Sequence, residues 1–352
     1  MECLFSTDGS QQLSAVLTPS AALASMARNT WRNVDWPEPA LELLSAIVQR
    51  STLHFSGPVS AIRLGRATFA FASAERRAAV TTKFHWLKTP DHAQQAALRE
   101  YQLTVIARSL SRSAAAQATI PLAAARGVSV FRHTDGFTLD QIISKYIYTN
   151  NLALNCVRQA AGYLASLHRQ PLTFTAPARG EQSIAYGARL VEQLSSPNNP
   201  LMRTPERSRN LLQLLEIVGR KAEIANSADR AFIHGDATVA NFIFSSPNRL
   251  TAIDWERAGA GDPAADLGRF LAEISHSIRH HGGTAEEACV FCHAAIASYL
   301  EQAGAEAKSM CRSRVRFHRA VSLLRIARNP WELWRMKLDL IEQAEQLLQH
   351  PD

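Results

Sequence analysis

The sequence predicts an α+β fold of two lobes, a small one built on antiparallel strands and a large, mostly helical one. Three observations predict it. Short apolar or alternating segments crowd residues 59–84, a strand–turn–strand pattern occupies 232–254, and helical periodicity governs the chain from Asp266 to its end. At 352 residues the chain is long enough for two lobes with a large buried core.

In chain order, residues 1–55 form an N-terminal helical extension. Leu41–Val48 carries apolar residues at helical spacing, and Trp36–Pro39 punctuates its start. Residues 56–134 form the small lobe. Val59–Leu64 and Thr68–Phe71 read as a hairpin around Gly65-Arg66, and Ala78–Phe84 as a third strand containing Lys83. A helix over Ala93–Leu110 contains Glu100, and Val128–Phe131 is the last strand. Residues 135–352 form the large lobe. It opens with helices over Leu139–Ile147 and Asn155–His168, where His168 has a structural role. A mostly helical insertion follows at about 171–230, broken at Ser195–Pro200. The C-terminal helical run breaks at Gly282-Gly283 and Asn329-Pro330.

The chemistry concentrates at 232–266. Phe232-Ile233 leads into His234-Gly235-Asp236; Asn241 opens the apolar run Phe242–Phe244; a turn at Ser245–Arg249 returns the chain through Leu250–Ile253 to Asp254. Such a hairpin brings Asp236, Asn241 and Asp254 to one end of two adjacent strands. Two carboxylates and an amide suit phosphoryl transfer. Asp236 accepts or orients a hydroxyl proton, while Asn241 and Asp254 hold Mg²⁺ against nucleotide phosphates.

HGD-x4-N, then IDWE, then GDPxxDL resembles the aminoglycoside phosphotransferase and choline kinase superfamily, a branch of the protein-kinase-like fold. The resemblance implies Asp236 as catalytic base, Asn241 and Asp254 as metal ligands, and His234 and Asp266 as supports of the catalytic loop. It implies that Lys83 contacts nucleotide phosphates and that Glu100 pairs with it, with Lys88 as the fallback beside Thr89-Pro90. Arg132–Gly136 becomes the hinge that holds the purine by backbone groups. His133 counts among the nucleotide-binding residues as a hinge residue rather than a catalyst. The implied cofactors are ATP, with GTP as the alternative, and Mg²⁺. The implied partner is a small-molecule hydroxyl acceptor, its pocket built partly by the 171–230 insertion. One departure is plain: Gly65 stands nearly alone where protein kinases carry a glycine-rich phosphate loop.

Bulk properties narrow the reading. The chain is 46% hydrophobic and 20% charged, ordinary for a globular protein. No apolar run approaches the roughly 18 residues of a membrane span, and the N-terminus lacks a secretory pattern, so the expectation is cytoplasmic with the five cysteines reduced. Net charge is +7. Lys308–Lys337 holds nine basic residues against Glu332 alone, with Arg312, Arg316 and Arg319 at helical spacing. That stretch reads either as a solvated helix face or as a surface for an anionic partner, with no specific nucleic-acid signature beside it. In the insertion, eight basic residues outnumber six acidic ones, which disfavours a polycationic acceptor.

Cys289-Val290-Phe291-Cys292-His293 spells a haem-attachment pattern, but it lies inside a helical run, Ala285–Leu300, and no export signal accompanies it. A zinc site drawn from His276, His280, His281, Cys289, Cys292 and His293 is disfavoured too. The cysteines share one helix face and read as small core residues. The leading function is an ATP-dependent small-molecule kinase acting on a hydroxyl of a sugar, amino alcohol or related metabolite. The alternative is a catalytically silent kinase-fold binding protein that recruits a partner through its basic C-terminal helix. Lys83, Glu100, Asp236, Asn241 and Asp254 together argue against it, since a binding module has no need for the whole set.

Overall fold

The computed structural model describes residues 13–14, 59–63, 68–73, 79–85, 89–111, 113–125, 127–146, 151–170, 172, 184–196, 204–225, 230–304 and 307–349. The helix expected at 41–48, Gly65-Arg66 and Lys88 lie outside them. The chain divides into two compact units: Met1–Ser109 with Ala118–Gly136, and Leu110–Gln117 with Phe137–Asp352.

Among the described residues, the first unit holds a six-stranded antiparallel sheet and one helix. Its strands are β1 (Leu13–Ser14), β2 (Val59–Arg63), β3 (Thr68–Ser73), β4 (Ala79–Phe84), β6 (Pro121–Ala125) and β7 (Val128–Arg132), ordered β1-β2-β3-β4-β7-β6. Period-two alternation sets the faces of β4. Val80, Thr82 and Phe84 are buried on one side, while Thr81, Lys83 and, just beyond the strand, His85 occupy the other. Helix α1 spans Pro90–Leu110, one turn earlier than the apolar pattern predicts. The reason is local: the Thr89 hydroxyl accepts from His92 N at 3.3 Å, and Pro90 tolerates the first helical position because it lacks an N–H.

The second unit holds the remaining elements. A sheet of β5 (Ala116–Ala118), β11 (Arg249–Ala252), β10 (Phe242–Ser246) and β8 (Phe137–Thr138) runs in that order, and β9 (Ala231–Ile233) pairs with β12 (Gly259–Gly261). The helices are α2 (Leu139–Tyr146), α3 (Asn151–His168), α4 (Ile184–Leu194), α5 (Pro205–Ala225), α6 (Pro263–His280), α7 (Ala285–Ala303), α8 (Ala307–Ala327) and α9 (Trp334–Gln349). Leu190, Leu194, Leu215, Phe317, Leu324 and Ile341 lie in one apolar core that joins α4, α5, α8 and α9. Gly304 supplies a break between α7 and α8 that the sequence reading passes over. No described helix is long and apolar enough to cross a membrane.

Helices α6 and α8 meet closely. A Cβ on Gly268 would stand 2.7 Å from Arg319 N and 2.8 Å from Val315 O, so only glycine admits this approach. Through the contact, α8 turns several of its basic side chains inward. The Arg314 guanidinium is 4% exposed and pairs with Asp262 (Nε donates to Oδ2 at 3.0 Å), beside His318 Nε2 at 3.2 Å. Burial raises the Asp262 pKa, but hydrogen bonds from His318 and Arg314 outweigh it and bring the carboxyl down to about 2. Arg319 donates to Ser275 Oγ at 2.8 Å, and Arg325 pairs with Glu273. Lys337 on α9 is buried as well. The Arg312 side chain lies outside the described residues.

Candidate active site

In the second unit the site is a turn between two short strands. β9 delivers His234-Gly235-Asp236, a single 3₁₀ turn over Val239–Asn241 follows, and the β10–β11 hairpin returns the chain to Asp254. Asp266 on α6 holds this turn from beneath. Its carboxylate accepts from His234 N at 2.6 Å, Gly235 N at 2.8 Å and His168 Nε2 at 3.1 Å. His168 is itself anchored at 2.7 Å to the Tyr299 hydroxyl. Burial raises the Asp266 pKa, and the His168 hydrogen bond and the backbone donors more than reverse this, keeping the group ionised.

His234 closes the loop from the other side. Its Nε2 donates to Ile253 O at 2.9 Å, which leaves Nδ1 to accept from Asp236 N at 3.3 Å. The ring packs against buried Trp255 at 4.3 Å between centroids. Gly235 has φ +77°, and a Cβ there would fall 1.9 Å from Arg257 O. The glycine of this motif therefore answers both a left-handed backbone and a backbone–backbone contact.

Asp236 is 17% exposed and lies between two guanidinium groups. Arg269 Nη1 donates to Asp236 Oδ1 at 2.7 Å and bridges to Gly235 O at 2.5 Å, while Arg257 Nη1 stands 3.9 Å from the same oxygen. Burial raises the Asp236 pKa; Arg269 foremost, then Arg257, pulls it back below the ordinary carboxylate value. Oδ2 has no hydrogen-bond partner among the described residues. Sequence reasoning missed both arginines. A signal for Arg269 was present, since it follows Asp266 by three residues and shares its helix face.

Asn241 and Asp254 come to the same hairpin end. Phe242 pairs with Ala252, and Ile253 N donates to Asn241 O at 3.0 Å, which extends the ladder to the residue before Asp254. Asn241 Nδ2 donates to Asp236 O at 2.8 Å, so its Oδ1 is the oxygen turned to other work. Asp254 has φ +63° and ψ +63°, the only left-handed non-glycine residue among those described. Such strain recurs where a side chain must be aimed at a ligand. An amide oxygen and a carboxylate are hard oxygen donors, and that donor set fits Mg²⁺.

In the first unit, Lys83 Nζ donates to Glu100 Oε1 at 3.2 Å, and Glu100 is almost fully buried. His85, two residues along the same face of β4, stands 2.9 Å from Glu100 Oε2, a partner the sequence reading did not anticipate. Burial raises the Glu100 pKa, but His85 and Lys83 together leave it lowered. His133 Nδ1 lies 3.0 Å from the Thr81 hydroxyl, and burial lowers its pKa. In α7, Cys292 is buried but Cys289 is exposed, so only one of the two is the core residue expected.

The chain matches the sequence pattern of a phosphotransferase enzyme family over residues 87–304. Among curated protein sequences, none matches. Among solved structures, the streptomycin–ATP–APH(2″)-IIa ternary complex superposes with a TM-score of 0.54 at 13% identity, over 90% of this chain and 97% of that one. An ethanolamine kinase from Plasmodium vivax gives 0.54 at 14% identity, over 93% and 92%. The choline kinase LicA from Streptococcus pneumoniae gives 0.52 at 15%, over 81% and 90%. At these identities the likeness is one of fold.

Proposed function

Because the chain belongs to the phosphotransferase enzyme family, we propose that it transfers the γ-phosphoryl group of ATP to a hydroxyl of a sugar, amino alcohol or related metabolite. The observation that carries this reading is the placement of Asp236. Its carboxylate is held ionised by Arg269 and Arg257, with Oδ2 left for a hydroxyl, at the hairpin end that also bears Asn241 and Asp254. Asp236 orients the acceptor hydroxyl and takes its proton as the new P–O bond forms and the bond to the nucleoside diphosphate breaks. Asn241 Oδ1 and the Asp254 carboxylate would hold Mg²⁺. That ion, when bound, neutralises charge on the nucleotide phosphates.

Lys83 contacts the nucleotide phosphates, and its ion pair with Glu100 fixes the ammonium where a solvated lysine would wander. His133 belongs to the hinge that receives the base. The basic helix through which a silent binding protein would recruit a partner has Arg314, Arg319 and Arg325 engaged inside the second unit.

The test is Mg²⁺-dependent consumption of ATP across a panel of neutral sugars, amino alcohols and aminoglycosides. Stoichiometric ADP release with one acceptor class supports the reading. No acceptor-dependent release with any of them sinks it. Lys83→Ala is expected to lower kcat/KM for ATP by about 100-fold with the fold retained, since removing one preorganised charge at a phosphate typically has that effect. If Lys88→Ala abolished turnover instead, the phosphate-binding lysine would be Lys88.

A further inference from the structure

His276 and His280 lie one turn apart on α6, and i, i+4 spacing puts both rings on one helix face. Their centroids are 5.4 Å apart. Opposite them, in the turn between α8 and α9, sits Glu332. Its Oε2 is 2.7 Å from His276 Nε2, and its Oε1 is 3.8 Å from His280 Nδ1. One ligand atom from each residue falls within 4.8 Å of the other two, and no other such group of His, Cys, Asp or Glu occurs among the described residues.

The Glu332 side chain is 2% exposed, yet no lysine or arginine among the described residues pairs with it. Apart from the two imidazoles, its one hydrogen-bond partner among the described residues is Leu333 N, which donates to Oε1 at 3.1 Å. A buried carboxylate without a cationic partner is costly, and buried charges are generally paired or coordinate a metal. Elsewhere in this unit the buried Asp262 has the Arg314 guanidinium, and the buried Asp266 has two backbone N–H donors besides His168.

We propose that His276, His280 and Glu332 form a binding site for a zinc-type divalent ion. Two imidazoles and a carboxylate, the imidazoles being borderline donors, favour Zn²⁺ over Mg²⁺. Zinc bonds of about 2.0–2.1 Å in a tetrahedron separate ligand atoms by about 3.3 Å; with one ligand atom taken from each residue the three atoms lie within 4.8 Å of one another, so small side-chain shifts would close them on an ion. The backbone donor at Leu333 orients the carboxylate, as partners of metal ligands commonly do. Three protein ligands leave one position open, and the half-exposed His280 (47%) with the exposed Trp331 puts that position within reach of water or a small ligand. The exposed Cys289 and His293, the pair a sequence motif would favour, play no part in this site.

The site does not depend on the phosphotransfer reading and is tested without turnover. Untagged protein in buffer with excess Mg²⁺ is titrated with Zn²⁺ against a chromophoric chelator, and melting is followed in parallel. The expected result is one equivalent of Zn²⁺ bound and a rise in Tm. In the double variant His276→Gln/His280→Gln, affinity should fall by about 100-fold or more and the rise should vanish. Should that variant fail to fold, His280→Gln alone serves, because its ring makes no hydrogen bond to Glu332 and its loss should still weaken binding about 10-fold. Cys289→Ser should leave binding unchanged. The proposal is overturned if the wild type binds no equivalent of Zn²⁺, if binding survives in the histidine variants, or if Cys289→Ser abolishes it. The first result would leave the 2.7 Å contact as a plain clamp between α6 and the α8–α9 turn.

Discussion

Asp236→Asn is expected to lower turnover by about 10²–10⁴-fold, the usual contribution of a positioned general base, while the KM for nucleotide stays nearly constant. Asparagine keeps the shape of the side chain and can still accept from Arg269, so the loop should remain folded and the loss should fall on kcat. A variant that kept more than a tenth of wild-type turnover would place the base elsewhere. The pH profile offers a second check. Asp236 is lowered below the ordinary carboxylate value because Arg269 and Arg257 overcome its burial, so the acid limb of kcat/KM should lie low. Arg269→Gln removes the guanidinium at 2.7 Å and leaves the burial in place, which raises the pKa and moves the acid limb upward. An unmoved limb would mean that another group sets it.

Asp266→Ala is expected to cost about 3–5 kcal/mol of stability, the range for removing one partner from a buried charged network. The loss would leave His234 N and Gly235 N without their acceptor in a buried turn, and His168 with only Tyr299. Urea unfolding checks it, and an unchanged midpoint would refute the role as brace. The sign with pH follows from the lowered native pKa. The stabilisation is present above the unfolded-state carboxylate pKa and is lost as pH falls through the lower native value. Asp266→Asn should therefore flatten the acid-side dependence of stability while shifting the midpoint at neutral pH.

The supports of the catalytic turn were unevenly legible in the sequence. Asp266 and His168 both carry supporting roles in the sequence reading, and the two side chains meet at 3.1 Å. Arg269 was passed over although it lies on the same helix face as Asp266, because an arginine after a glycine in a helix has many other uses. His85 was passed over for a similar reason. Its place on the Lys83 face of β4 is plain from alternation, but its approach to Glu100 depends on where α1 lies across the sheet. Lys83 and Glu100, which the family resemblance pairs, lie 3.2 Å apart.

The sequence by itself determined the α+β class, the strand–loop–hairpin carrying Asp236, Asn241 and Asp254, and the family. It could do so because those residues lie within 19 positions of one another on a tight turn and a short hairpin, where spacing along the chain translates directly into spacing in space. Only the tertiary structure decided what the basic C-terminal segment does. Helical periodicity puts Arg314, Arg319 and Arg325 on a helix without saying which neighbour that helix meets. The close approach at Gly268 turns them onto Asp262, Ser275 and Glu273. The same holds for His276, His280 and Glu332. Two of them are one turn apart, but the third arrives from 52 residues further on, and only the packing of α6 against the α8–α9 turn brings its carboxylate to the two rings.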